Sequence, residues 1–482
     1  MKKNLYIPLV LMLIFLSGCN GGRELFTLPA PEIILEDPDG IYTLKLGNTL
    51  TLAPQVRYGQ DAVYAWLMDG KTVSTQSVYV FNADQPGTYY LTFKVIRQDI
   101  TVGKDIRIDV ERKAVPAIFF AIPEKGFFIK PDSTLILRPI VENCQSATYL
   151  WTINDVEVSR DSIYQFNTTQ TGLFNFCFSA QNSEGSDEIR FSVTVSEQAG
   201  NEEGNKHPEA PTGKYFRPVQ DNSRADWNVI YDYRPAPGQF INESGTGGFS
   251  GEKTLQEAIL YAGERLKNNL FVSLGAFGGY IVAGFDHSIV NDGGYNLQIE
   301  GNAHENSSEP GIVWVMQDSN GNGLPDDGWF ELRGSEDPGG KVTRNYSITY
   351  FKPRQPGSNV HWIDNNGITG TVDYLGAYHD QESYYPLWIE DEYYTLIGTC
   401  LESRNYLSQT GSWISPPYEW GYADNDRQAL FRLSDAVTPE GDPIDLEFID
   451  FVKIQTGVNG KSGWLGEIST EITGIRDYNL IK

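Results

Sequence analysis

Histidine, methionine and cysteine are scarce in this chain, at five, four and four copies in 482 residues. His207, His287, His304, His361 and His379 never fall at the short paired spacings of a zinc site, so each reads as a surface or turn residue. So few cysteines, with an odd number left once Cys19 is set aside, argue against a disulfide framework. Cys144 and Cys177 share a domain, but the alternation in "LFNFCF" turns Phe174, Phe176 and Phe178 inward and Cys177 outward. Basic residues are also short: 37 Lys and Arg against 63 Asp and Glu leave a net charge of -26, which argues against nucleic acid as a partner. Long apolar runs are missing beyond the first residues, so no membrane-spanning helix is expected. Gly-x-Ser-x-Gly is absent, and "SLGAFGGY" lacks dinucleotide-binding spacing and enters a strand, so no catalytic motif is identified and the expectation is a non-enzyme. A glycosidase pair is defined by separation in space and is not legible here.

What is present begins at the N-terminus. "MKKNLYIPLVLMLIFLSGC" has two lysines, an apolar stretch too short to span a bilayer, and Leu16-Ser17-Gly18-Cys19. This is the pattern of a bacterial lipoprotein signal, with residues 1–18 removed and Cys19 lipidated, followed by a tether over 19–30. The expected product is held at a membrane by lipid alone, outside the cytoplasm.

The next segment repeats itself at a constant offset of 85 residues, without a gap. Tyr64 and Trp66 match Tyr149 and Trp151, Tyr79 and Phe81 match Tyr164 and Phe166, and Phe93 matches Phe178. Each copy is a series of short alternating runs broken by turn residues, the pattern of a small antiparallel sandwich with the tryptophan between its sheets. Tyr-x-Trp followed by a turn, in "YAWLMDG" and "YLWTIND", resembles the PKD family of immunoglobulin-like modules, although that family's Gly-Asp-Gly turn is degenerate here. Two domains result, over 31–112 and 113–196, expected to serve as spacers.

Residues 197–213 are rich in Glu, Gly, Asn and Pro and read as a linker. Residues 214–482 carry eight of the ten tryptophans and form the larger domain, where function is expected. One helix is predicted in "TLQEAILYAGERL", with Thr254 and Glu257 at capping-box spacing. The rest reads as strands joined by Gly, Asn, Asp and Pro turns, and closes best as a jelly-roll-like sandwich. The fold class is thus mainly β: two immunoglobulin- or PKD-like sandwiches, then a jelly-roll-like domain with a helix.

Two features of this domain suggest sites. In "QDSNGNGLPDDGW", Asp318, Asn320 and Asn322 stand at positions 1, 3 and 5 of a calcium loop, Gly323 at 6, the Leu324 carbonyl at 7 and Asp326 at 9. The stretch resembles loops of EF-hand and thrombospondin-type repeats as far as position 12, where Trp329 replaces the acidic ligand and leaves Asp327 or Glu331 to substitute. A structural calcium is expected, against the alternative of a metal-free Asx-rich turn. The second feature is a pair of corners, Trp362 with Asp364 and Asn365, and Trp420 with Tyr422, Asp424 and Asn425. An aromatic ring just before Asp-Asn offers a stacking face beside hydrogen-bonding groups, suited to a sugar or a flat amide-bearing ligand.

"SLGAFGGYIVAGFDHSI", "IEGNAHENSSEPGIVWVMQDSNGNGLPDDGWFELRGSE", "WGYADN" and "GWLGEISTEI" resemble the C-terminal domain of PKD-containing surface lipoproteins of Gram-negative gut anaerobes. Such proteins are often encoded beside TonB-dependent cobalamin transporters, which implies a surface protein that captures a corrinoid and passes it to that transporter. A carbohydrate-binding or glycan-degrading lipoprotein, and a structural adhesin or surface-layer component, stand as alternatives.

Overall fold

The computed structural model describes residues 29–197, 199, 213–426 and 428–482; the signal peptide, Cys19 and most of the expected linker lie outside the described residues. No helix among the described residues is long and apolar enough to cross a membrane.

The described residues divide into two compact units, one up to Ala114 and the other from Val115 onward. In the first, a five-stranded sheet runs Ile41–Lys45, Ile100–Glu111, Gly87–Arg97, Val63–Met68, Lys71–Ser74, faced by the pairs Glu32–Ile34 with Gln55–Arg57 and Thr49–Leu52 with Tyr79–Asn82. Alternation fills the space between them: Leu91, Phe93 and Val95 point inward from one strand and Ile106, Ile108 and Val110 from the next. Trp66 is fully buried among them, and its indole N–H is satisfied by the Gln76 carbonyl at 3.0 Å.

The second unit opens with the same construction. Its five-stranded sheet runs Phe127–Ile129, Gly185–Val195, Gly172–Asn182, Thr148–Ile153, Val156–Ser159, and fully buried Trp151 donates to the Asp161 carbonyl at 2.9 Å. Trp66 lies opposite Phe93 and Trp151 opposite Phe178, so the sequence repeat is a repeat of register and of indole partner. Cys144, Cys177 and Cys400 are free thiols, and Cys177 faces away from buried Phe176 and Phe178 as the alternation predicts.

The second sandwich packs directly on the larger domain instead of being spaced from it. Phe119, only 4% exposed, packs its ring 4.9 Å from His361 and 6.0 Å from Phe351. Arg354 stacks on the same ring and donates to the Ile118 carbonyl, Tyr393 donates to the Ile122 carbonyl, and Glu142 stands 3.7 Å from His361. Although composition marks a linker over 197–213, this sandwich and the larger domain share packing.

The larger domain is a further β-sandwich. A six-stranded sheet (Val229–Arg234, Tyr280–Val290, Phe448–Thr456, Gly311–Met316, Phe330–Leu332, Ala436–Val437) faces a four-stranded one (Val272–Ser273, Glu471–Asp477, Leu297–Gly301, Gln428–Phe431) across the largest core. The helix Leu255–Lys267 has the expected capping box from Thr254 and Glu257 and buries Ala258, Ala262 and Leu266 against this core. Leu255, the first residue of the helix, is 39% exposed. His287, expected at the surface, is instead fully buried, with its ring nitrogens held by Asp286 and Asp477 at 2.6 and 3.0 Å. A third sheet, Thr369–Val372, Val360–Asp364, Val342–Phe351, Tyr393–Leu401, adds a layer with an aromatic core of its own around Tyr346, Tyr350, Tyr384, Tyr385 and Tyr394.

Candidate functional site

The Asn/Asp loop leaves the strand Gly311–Met316 with Asp318 already buried. Asp318 Oδ1 accepts from the amides of Gly321 and Asn322 at 2.7 and 3.2 Å, and its Oδ2 from Gly323 at 2.9 Å. Asn320 Oδ1 accepts from the Asn322 amide and Asn322 Oδ1 from the Leu324 amide, so each short side chain folds back on the backbone two residues ahead. Gly321 and Gly323, with φ of 74° and 75°, supply the left-handed bends. Asp327 accepts from the Ser319 amide, while the side-chain amides of Asn320 and Asn322 donate to Asp326 and hold its carboxyl below the usual range. Among the described residues no three His, Cys, Asp or Glu side chains are grouped so as to hold a metal. The loop is thus satisfied internally as it stands.

The two tryptophan corners belong to different packing clusters, Trp362 to the aromatic core of the third sheet and Tyr422 to a cluster with Ile312, Leu401 and Tyr418. Trp362 lies so close over Gly370 that a Cβ there would meet its ring at 2.3 Å. Asp364 is buried, with Oδ1 accepting from the amides of Asn366 and Ile368 and Oδ2 from the Tyr346 hydroxyl at 3.0 Å. Asn365 donates to the Asn345 carbonyl. This corner holds a turn together with the groups expected to meet a ligand.

At the other corner, Tyr422 is buried and its hydroxyl accepts from the Glu336 amide, and Asn425 exchanges hydrogen bonds with the Tyr418 backbone in both directions. Asp424 is fully buried: Oδ1 accepts from the amides of Asn302 and Ala303, both at 2.9 Å, and Oδ2 from that of Glu471 at 2.8 Å. Trp420 behaves differently. It is 41% exposed and stands at the mouth of a cleft of about 350 Å³ with Tyr295, Arg333, Arg432 and Asp435. Its position is fixed by Gly421, where any Cβ would lie 2.5 Å from the Gly334 Cα, and by the Ser335 amide bonding to the Trp420 carbonyl. The stretches "WFELRGSE" and "WGYADN", far apart in sequence, are thereby pressed together to make one wall.

Beneath the same corner lies a group of acids that the spacing of residues does not reveal. Glu309, Asp424, Glu467 and Glu471 repel one another through the interior. Glu467 and Glu471 are 6% and 4% exposed; Glu309 keeps a partly exposed edge although protein surrounds it. Burial raises all four carboxyls, Glu467 to about 7 and Glu471 to about 8, with the neighbouring acids adding to the effect. Glu467 accepts from the Gln239 amide, Glu309 from that of Ser469, and the Asn302 side chain donates to Glu471. One oxygen of Glu467 and one of Glu471 have no hydrogen-bond partner among the described residues. Three stretches singled out in sequence, those holding Asn302 and Glu309, Asp424, and Glu467 and Glu471, converge here. The available signal was an acidic residue at the edge of a strand, Glu471, where the apolar pattern of Ile472 and Ile475 demands burial. A half-buried cation, Lys453, sits over the rings of Trp314, Trp329 and Tyr280, and the protein packed around it pushes its amine down to about 8 against the pull of Glu331.

With this geometry in view, the comparisons with known proteins fall on the N-terminal part of the chain. A PKD-like domain model matches residues 30–97 and again 115–182. The chain therefore carries two tandem PKD-like, immunoglobulin-like domains, followed by the further β-sandwich sheets on which the cleft is built. Among solved structures, an I-band fragment of titin (I67–I69) is 13% identical over 35% of this chain and 66% of its own, with a TM-score of 0.25. Extracellular domains 3–5 of Drosophila OTK are 12% identical over 34% of this chain and 62% of theirs (TM-score 0.24), and the fibronectin(III)-like modules of Clostridium thermocellum CbhA are 9% identical over 36% of this chain and all of theirs (TM-score 0.19). This chain thus spans somewhat under two thirds of the length of the first two. No curated protein matches the sequence.

Proposed function

We propose that this is a lipid-anchored protein of the outer cell surface whose C-terminal domain captures a small nutrient ligand, a corrinoid such as cobalamin in the first instance, for a TonB-dependent outer-membrane transporter. The PKD-like sandwiches stand in the chain between the anchor and that domain, and the role is binding without covalent chemistry. The observation that best supports a ligand site is Trp420, a large ring left 41% exposed on a rigid corner whose other polar groups are all engaged. A stacking face held by buried hydrogen bonds loses little entropy when a ligand arrives. Isothermal titration of the lipid-free mature protein with cobalamin and dicyanocobinamide should give saturable heat, weakened about tenfold by Trp420→Ala. No heat with either corrinoid would sink that ligand.

Carbohydrate binding is the second reading, favoured by the same exposed indole, and a glycan array with a reducing-sugar assay separates it from the first. A structural calcium at Asp318–Asp327 remains part of the proposal. It would require the Asn320 and Asn322 amides to turn their oxygens inward, away from Asp326. Raised melting temperature with calcium, reversed by a chelator, is the expected sign; an unchanged one would make the loop a turn only.

A further inference from the structure

The Trp420 cleft is lined by two arginines, Arg333 and Arg432, and by a single carboxylate, Asp435, which feels both guanidiniums. Arg432 stacks its guanidinium 4.6 Å from the Tyr295 ring centroid and, exposed as it is, has among the described residues no carboxylate within ion-pair distance and no hydrogen-bond acceptor for its side chain. Arg333 comes no closer than 4.0 Å to Asp435, and its buried Nε has no hydrogen-bond partner among those residues. Two guanidiniums with open donors thus face one cleft against one carboxylate, in a protein of net charge -26. Guanidinium forks match the paired oxygens of carboxylates and phosphates, and stacking on an aromatic ring holds such a fork in place without using its donors.

We infer that the cleft receives an anionic group, a phosphate ester or a carboxylate, between Arg432 and Arg333, with the ring that bears it laid on Trp420. This rests on the reading of the C-terminal domain as a small-ligand binder and adds the chemistry of the ligand. A volume of about 350 Å³ admits a single ring with its charged substituent and not a whole corrin macrocycle. A corrinoid would therefore enter by the phosphodiester of its nucleotide loop, and a glycan by a uronic acid.

The test uses ligand pairs that differ in the anion: cobalamin against dicyanocobinamide, which lacks the nucleotide phosphate, and a galacturonic acid disaccharide against its neutral galactose counterpart. Titrations use the mature protein, its exposed-site variant Arg432→Gln, and Trp420→Ala. The anionic member of at least one pair should bind about tenfold or more tighter than its partner, and Arg432→Gln should remove that advantage while leaving the weaker affinity for the neutral member. Preference for the uronide with no cobalamin binding would support the cleft chemistry and remove the corrinoid. Equal binding of both members of each pair that binds, or binding indifferent to Arg432→Gln, would overturn the anion site and leave the small-ligand reading standing. Binding of none of the four would overturn both.

Discussion

The two PKD-like sandwiches have matching cores and differ in their faces. Trp66 and Trp151 occupy equivalent depths, face equivalent phenylalanines and donate to carbonyls ten residues ahead. At the same offset, Ile33 and Ile118 are both buried, but half-buried Ile34 of the first copy is replaced by Phe119, and Arg57, paired with Glu32 at 3.5 Å, by Glu142, which reaches His361. The internal pattern preserves the fold, while a few surface substitutions turn one copy into a docking partner for the larger domain. A repeat in sequence therefore reports equivalence of cores and says nothing about equivalence of roles.

Several substitutions would break or sharpen this contrast. The largest and most equal losses are expected from Trp66→Ala and Trp151→Ala, about 3–5 kcal/mol each in urea denaturation, because both empty the same central space. A marked inequality would mean that the cores are less alike than their registers. Outside the repeat, Asp424→Ala should cost about 3 kcal/mol by leaving three backbone amides, two of them buried, without an acceptor, with Asp424→Asn milder. Phe119→Ala should cost about 2–3 kcal/mol in urea denaturation of the whole mature chain, whereas Ile34→Ala at the equivalent half-buried place should cost less. Equal losses would deny the second copy its special face.

The pH dependence separates the larger domain from the PKD-like sandwiches. Glu467 and Glu471 have folded values raised to about 7 and about 8 from 4.5, so the fold binds their protons more tightly than the unfolded chain does. Their stabilising contribution is complete below about pH 4.5 and is lost as pH rises towards 8, on the order of 1 kcal/mol per pH unit for each group. Lys453, lowered to about 8, contributes in the opposite sense and only above that pH. The melting temperature of the larger unit should fall between pH 5 and 8, and Glu471→Gln should flatten the fall; a slope unaltered by that change would show the cluster to be ordinary in water. Smallest of all, Trp420→Ala should alter stability by less than about 0.5 kcal/mol, since its ring is exposed, while its effect appears in ligand affinity.

The helix, the strands of the repeat and the outward turn of Cys177 were legible because each arises from local periodicity and capping. At the corners, Asp364, Tyr422, Asp424 and Asn425 hold backbone amides and neighbouring hydroxyls, and Trp362 lies against Gly370, relations that polar residues beside an aromatic in the sequence do not disclose. Arg333, Arg432 and Tyr295 went unremarked for the same reason, being unexceptional one at a time.

By itself the sequence determined the secondary structure, the repeat and the excess of negative charge, all carried by neighbours a few residues apart or by composition. Only the tertiary structure decided that Trp420 stays open, that two arginines share its cleft, and that Asp424 meets Asn302 and Glu471 from strands and loops distant in the chain. Burial and the pairing of charge depend on which segments meet across the sandwich, and that is settled by packing of the whole core.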